Sequence, residues 1–463
     1  MDLRVYLIEV ANQCASSHTE KTEVTELPLR IDKNCQQYRR ERDSKYRPGE
    51  CFGISLRDGF RGTFIMSLQD QLKNSLSIPS KPLLLLIAIL FTLSSLTATA
   101  GPREQAKRIH DRIAGVPPSA ETLAQMVSEI EDNNDPLAAA MIATEHPDFY
   151  NVTLKNWATP WTNEEMTPFA ALNDYSATVI GMVRDEVPFN QLLSADILYV
   201  GSNAPAYSNS NNDHYEAMEN QSLNLKDELQ QVAQSNVTGL PSEGTAGVIT
   251  TRAAARAFFV DGTNRAMFSF TLLNHLCKVL EEIKDPTRPA DRIRQDATRS
   301  PGGDSRVWFN NCLGCHAGMA PLAQAYAHYN YEYPEDDMEA GQLVYTPGIV
   351  QPKYLINSSV FKDGYITTDA SWDNYWREGP NSVLGWDPNL PGSGVGAKTM
   401  GEELANSHAF AECQVTKAFQ AVCLRAPVDS ADRSRIAEIT ESFKTGYNMK
   451  RVFAETAVYC AGE

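Results

Sequence analysis

The chain has 463 residues, with 41 Lys and Arg against 58 Asp and Glu, a formal charge of −17. A surface this acidic argues against nucleic acid or an anionic membrane as partner and leaves room for a basic protein partner. The roughly 360 residues beyond residue 100 suffice for one large or two ordinary domains with ample core.

Residues 1–65 are charged, irregular and rich in Arg, and they contain no apolar segment. From Met66 the order changes: Lys73 and Lys81, then the apolar run Leu83 to Phe91, then small residues ending in Ala98-Thr99-Ala100 before Gly101-Pro102. These are the n-region, h-region and A-x-A site of a secretory signal, in the right order and at the right lengths. The run is too short for a permanent span. A signal peptide cannot act from the middle of a chain. The pattern therefore predicts a translation start at Met66, with residues 1–65 a mis-assigned, disordered extension and residues 66–100 the signal. The alternative is a real disordered arm ahead of a membrane anchor. Cleavage near Ala100 makes the mature protein periplasmic or secreted, with no membrane span left. Beyond that point 28 basic residues face 47 acidic ones, a formal charge of −19.

The mature chain opens on helices. Ala106, Ile109 and Ile113 share one face of a helix over 103–114, Gly115-Val116-Pro117-Pro118 breaks it, and Ser119 caps a second helix over 120–131. Asn133-Asn134-Asp135-Pro136 starts a third, through Ile142. Trp157, Trp161 and Phe169 read as core aromatics, and the stretch 172–185 has helical spacing. An apolar patch over 189–199 precedes an Asn- and Ser-rich loop over 201–213. His214 beside it reads as solvated. Residues 244–251 suit a short strand or turn, 252–260 an Ala-rich helix, and 265–283 a long apolar helix carrying His275 and Cys277. Pro286, Pro289 and Pro301-Gly302-Gly303 mark a linker. Residues 101–300 thus read as a helical N-terminal domain.

The linker leads to Asn311-Cys312-Leu313-Gly314-Cys315-His316-Ala317-Gly318-Met319. Cys-x-x-Cys-His is the attachment sequence of a c-type haem. Thiols three positions apart can each form a thioether to one haem vinyl group, and the next residue brings an imidazole to the iron. Cys312 and Cys315 are the expected anchors and His316 the proximal ligand of one covalent haem c. A zinc site would want a second Cys/His pair at short spacing, and a redox dithiol a βαβ context; neither pattern lies nearby. The expected haem segment is 301–345, with the aromatic-rich stretch Pro321 to Tyr331 as one wall of a pocket. Glu335-Asp336-Asp337 is a solvated acidic run. The region 346–398, rich in Gly, Pro, Trp and Tyr, reads as irregular loop. Helices return over 399–410, 412–424, 430–444 and 449–460, a C-terminal helical subdomain (399–463). The fold class is mainly α.

Cys14, Cys35 and Cys51 fall in the doubtful extension, so haem attachment leaves Cys277, Cys413, Cys423 and Cys460. In an oxidising compartment these can form up to two disulfides; the alternative is buried thiols packed as small hydrophobes. If the last three helices run up and down, the helices ending at Leu424 and Cys460 are parallel, which predicts a Cys423–Cys460 bridge.

For the opposite face of the iron the sequence offers Met319, Met338, Met400, His328 and His408. Met319 lies one turn from His316 and cannot reach that face unless the helix breaks. His328 would need a tight reversal, and Met338 follows the acidic run. Met400 stands at the head of a helix behind the Pro391 to Gly396 loop, where a thioether could be held over iron. It is preferred over His408, against the plain alternative of a core methionine.

With these pieces in order the chain resembles the planctomycete-type cytochrome c proteins. "RIHDRIAGVPPSAETLAQM" is similar to that family's helix-Gly-x-x-Pro-helix opening, and "VPFNQLLSADILYVG" to its recurring segment with an Asp before an aromatic. "NNCLGCHAGMAPLAQAYAHYNY" resembles its haem segment, and the stretch from Leu404 to Tyr459 its closing helices. Where the family has Asp-Pro-x-Gly, this chain has Ala320-Pro321-Leu322-Ala323, so any role of that Asp is absent. The resemblance implies haem c binding and electron transfer without naming a pathway. The leading expectation is therefore a periplasmic mono-haem c-type cytochrome that exchanges electrons with a redox partner protein. The alternative is a haem-dependent enzyme, peroxidase- or oxidase-like, with an open sixth iron site; the single motif counts against a di-haem peroxidase. A third reading makes residues 101–300 a binding module wired to a partner by the haem.

Overall fold

The computed structural model describes residues 101–260, 262–293, 306, 308–354 and 365–461. The expected extension and signal peptide lie outside the described residues. Caps start the first helices where the sequence places them. Helix α1 (Pro102–Ala114) opens on a proline and closes at Gly115, whose φ of 74° lets its N–H return to the Asp111 carbonyl. The Ser119 hydroxyl accepts from the Thr122 N–H to start α2 (Ala120–Glu131), and the Asp135 carboxylate accepts from the Ala138 N–H to start α3 (Pro136–Ala143). Asn173 and Ser176 form a reciprocal capping box on α4 (Asp174–Arg184), which is buried along nearly its whole length.

The longer helices that follow are α5 (Asp213–Asn220), α6 (Arg252–Phe258), α7 (Arg265–Thr271), α8 (Leu313–Ala323), α9 (Gly396–Ala405), α10 (His408–Cys423), α11 (Ser430–Lys444) and α12 (Met449–Cys460). Three antiparallel two-stranded ribbons interrupt them: β1 (Leu198–Gly201) with β2 (Leu229–Val232), β3 (Tyr329–Glu332) with β4 (Gln342–Tyr345), and β5 (Ser371–Asp373) with β6 (Ser393–Val395). The fold is mainly helical, as expected.

The expected segment boundaries at 300, 345 and 398 do not divide it. Helix α12 packs against α1 and α3 as well as α10 and α11, so the two ends of the mature chain share one core. Phe453 on α12 meets Phe149 and Trp157 edge-on, each at 5.2 Å between ring centres. The described residues from 101 onward make one compact unit, and the expected N-terminal domain and C-terminal subdomain are stretches within it. No described helix is long and apolar enough to cross a membrane.

All four remaining cysteines pair. Cys423 joins Cys460, the bridge expected from parallel α10 and α12, and Cys277 joins Cys413. The second bridge explains where the expected helix over 265–283 ends. After α7 the backbone widens into a π turn (Leu272–Leu276), and Cys277 adopts a left-handed φ of 52° that sends the chain toward α10. Of the two forms expected for 244–251, a short strand or a turn, the chain takes the turn, as 3-10 segments (Ser242–Gly244, Gly247–Thr250). One other expectation is corrected by packing. His214 is buried, with Nε2 accepting from the Gly201 N–H at 2.9 Å and Nδ1 donating to the Pro205 carbonyl, so it ties the loop to β1.

Candidate functional site

The Cys-x-x-Cys-His stretch straddles the start of a helix. A π turn (Trp308–Cys312) feeds into α8, so Cys312 is its N-cap and Cys315 and His316 stand in its first turn. At about 100° per residue these three positions fall within roughly a quarter to a third of the helix circumference, on one side of its axis. Their surroundings nonetheless differ: Cys315 meets the Leu280 carbonyl, Cys312 packs with Ile293, and of the three only His316 lines a cleft.

Two buried contacts hold α8. Gly318 has no Cβ, and the fully buried indole of Trp376 occupies the space where one would stand. At the first turn the Asp285 N–H donates to the Gly314 carbonyl at 2.8 Å, laying the strip 280–286 across the motif. That strip is itself pinned, since the Asn381 amide donates to the Ile283 carbonyl at 2.7 Å. Cys315 Sγ lies 3.4 Å from the Leu280 carbonyl of the same strip. Cys312 belongs instead to a small apolar cluster with Ile293 and Ala317. Neither thiol takes part in the two disulfides.

His316 is 7% exposed and lines a narrow cleft with room for little more than a water molecule. One wall is the next two turns of the same helix, Ala320, Ala323 and Gln324; Arg265, Arg292, Tyr354 and Thr367 close the other sides. Small side chains at 320 and 323 leave the helix face beyond His316 low and flat. The expected wall from Pro321 to Tyr331 is thus found in part. Ala323 and Gln324 do line the cleft, whereas Tyr326 and Tyr329 turn into the main core.

The polar groups around the cleft are placed by tertiary contacts. Asn264, in a left-handed conformation just before α7, donates its amide to the carbonyls of Tyr326 and Tyr329 at 3.0 Å each, which fixes Arg265 beside the end of α8. The Arg292 guanidinium donates to the Ser371 carbonyl at 3.2 Å and pairs with Asp373. Gln324 Nε2 donates to Asp369, at 3.2 Å to the carbonyl and 3.1 Å to the carboxylate. Hydrogen bonds from the Ser371 side chain and N–H hold the Asp369 carboxyl below its usual range. Thr367 is 2% exposed, and its hydroxyl oxygen has no hydrogen-bond partner.

A buried hydroxyl left unmatched at the wall of a cleft costs free energy unless a ligand completes it. The donors of the motif, two thiols and an imidazole, have the chemistry to hold a haem, but the cleft has room for little more than a water and neither thiol lines it, so a haem there would need the cleft to widen. Attachment at Cys315 requires its sulfur to leave the Leu280 carbonyl. Among the described residues no group of three or more His, Cys, Asp or Glu converges as a metal site of the carboxylate or zinc type.

The other expected iron ligands are dispersed. Met400 is fully buried in the main core on α9, which packs against the 3-10 turn Gln324–Tyr326 that ends α8. It is not among the described residues lining the cleft. Met319 is buried in the same core from α8 itself. Met338 is 41% exposed on a surface turn. His408 begins α10 at the surface, 3.7 Å from Glu441. His328 is buried beside Tyr345, and burial lowers its pKa. Arg265, Arg292, Gln324 and Thr367 were not foreseen from the sequence. No spacing links them to the motif, and only the folded chain brings them to His316. No family model, curated protein or solved structure matches this chain.

Proposed function

We propose that the protein is a periplasmic mono-haem c-type cytochrome that passes electrons to and from a partner protein. The observation that carries this reading is the position of His316: it follows the two motif cysteines in the first turn of α8 and lines a small cleft beside that helix. Cys312 and Cys315 would carry the thioethers and His316 the iron. Bound there, haem c supplies a one-electron Fe(III)/Fe(II) couple whose potential depends on its axial ligands and burial.

The chain's own contribution is placement. Trp376 against Gly318 and the strip 280–286 across Gly314 fix α8. Met400 would be the candidate for a second iron ligand; it is buried in the main core outside the described lining of the cleft, so this role would need α9, which neighbours the end of α8, to shift. The resemblance to the planctomycete-type cytochromes supports the same reading. The acidic charge of the mature chain suits a redox partner with a basic surface.

The test is covalent attachment. Protein expressed from Met66 with a haem maturation system should stain for haem on a denaturing gel, and Cys312→Ala with Cys315→Ala should abolish the stain. Stain retained by that variant would refute the assignment.

A further inference from the structure

The two disulfides differ in what surrounds them. Cys423 and Cys460 are both buried where α10 and α12 end. In the other bridge Cys413 is buried on α10, but Cys277 is exposed. A thiolate opens a disulfide by attacking one of its sulfurs, so the bridge with an exposed partner is the one within reach of a reductant.

The stretch that leaves Cys277 runs straight to the motif. Three residues on, the Leu280 carbonyl stands 3.4 Å from Cys315 Sγ, and the Asp285 N–H then bonds the Gly314 carbonyl at 2.8 Å. Between Cys277 and Ile283 the backbone belongs to no helix or ribbon. It is held at its two ends, by the bridge at Cys277 and by the Asn381 amide on the Ile283 carbonyl at 2.7 Å, with the Leu280 side chain half-buried against the main core between them. Cys312 is covered from elsewhere. Its neighbours are Ile293 and Ala317, and the Ile293 carbonyl accepts from the Tyr365 N–H at 2.8 Å. The two motif thiols thus lie under different parts of the chain, and only the part over Cys315 starts from a disulfide.

We propose that the Cys277–Cys413 bridge is a redox latch over the motif: closed, it holds residues 278–283 across Cys315, and opened by a dithiol reductant it lets them lift and uncover that sulfur while Cys312 stays covered. The step balances. The reductant's two thiols become its own disulfide, and their electrons and protons convert the Cys277–Cys413 S–S bond into two thiols. The latch governs access to a sulfur and does not depend on what that sulfur goes on to carry. In an exported chain it ties the reach of Cys315 to the thiol–disulfide poise of the compartment.

The test uses protein expressed from Met66 without haem maturation, and the probe is N-ethylmaleimide. Two chains each keep one motif thiol, Cys312→Ala leaving Cys315 and Cys315→Ala leaving Cys312, so that no bridge can form within the motif. Titration with dithiothreitol, read by alkylation and peptide mapping, should open Cys277–Cys413 before Cys423–Cys460. After the reductant is removed under argon, the opened chain should alkylate at Cys315 about tenfold faster or more, and at Cys312 at an unchanged rate. Adding Cys277→Ser with Cys413→Ser should give the same result without reductant. A Cys315 rate that ignores the state of the bridge overturns the latch. So does an equal rise at Cys312, which marks opening of the whole fold, and so does a Cys423–Cys460 bridge that opens first.

Discussion

Gly318→Ala puts the placement of the motif helix to a direct test. A Cβ built at this position would stand 1.9 Å from Trp376 Nε1, 2.3 Å from Cε2 and 2.8 Å from Cζ2, where atoms in contact normally keep about 3.5 Å or more. The indole is fully buried, so it cannot swing into solvent to make room. Overpacking of this kind costs about 1–3 kcal/mol, and the overlap here belongs at the upper end. The better helix propensity of alanine returns about 1 kcal/mol. The net loss should be about 2 kcal/mol in urea denaturation followed by far-ultraviolet circular dichroism, with the m-value unchanged. Gly446→Ala is the control, because a Cβ there meets nothing within 4 Å. Gly318→Ala with Trp376→Leu should lose less than the sum of the two single changes, since the smaller side chain vacates the contested space. A Gly318→Ala protein as stable as its parent would mean that α8 is not seated on Trp376.

Three further outcomes are expected. Replacing Cys423 and Cys460 by alanine opens a bridge of sequence separation 37 and should lower stability by about 3–4 kcal/mol in the same assay; a change within about 0.5 kcal/mol would show that the bridge contributes little. Burial pushes the Lys417 ammonium from 10.5 down to about 7, with Nζ near the Asn274 carbonyl and 4.4 Å from the centre of the Trp161 ring. The unfolded chain then binds more protons between these two values, so this group makes stability rise with pH from about 7 toward 10.5 and adds no slope below 7; Lys417→Met should flatten that rise, and an unaltered slope would contradict the burial of the charge. Met400→Ala in the haem-loaded protein should convert the iron to high spin and permit carbon monoxide binding when reduced; an unchanged spectrum would remove Met400 from the iron and favour an open-site enzyme.

Much of the helical frame was legible because its signals are local. Ser119 caps the helix it was expected to cap, the turn through Asp135 starts the next, and the closing pair α11 and α12 begins and ends where the apolar spacing does. The Cys423–Cys460 bridge followed from counting helix directions. What could not be read depends on contacts distant in sequence. The apolar run after Arg265 looked like one long helix because nothing local stops it; the bond to Cys413, 136 residues away, lies at the point where it turns. His214 looked solvated beside a polar loop, yet that loop folds over it and uses both ring nitrogens. The candidate site divides the same way. Cys312, Cys315 and His316 stand in a fixed local pattern, while Arg265, Arg292 and Thr367 reach the cleft from separate segments and carry no signature of their own.

The central claim is one covalent haem held by His316, and an optical spectrum tests it most directly. Protein expressed from Met66 with haem maturation should, after purification, show a Soret band and reduced α and β bands that survive denaturation, which marks thioether attachment. With both axial positions filled, carbon monoxide should leave the reduced spectrum unaltered. A colourless protein, expressed alongside a known c-type cytochrome that does acquire haem, would contradict the account.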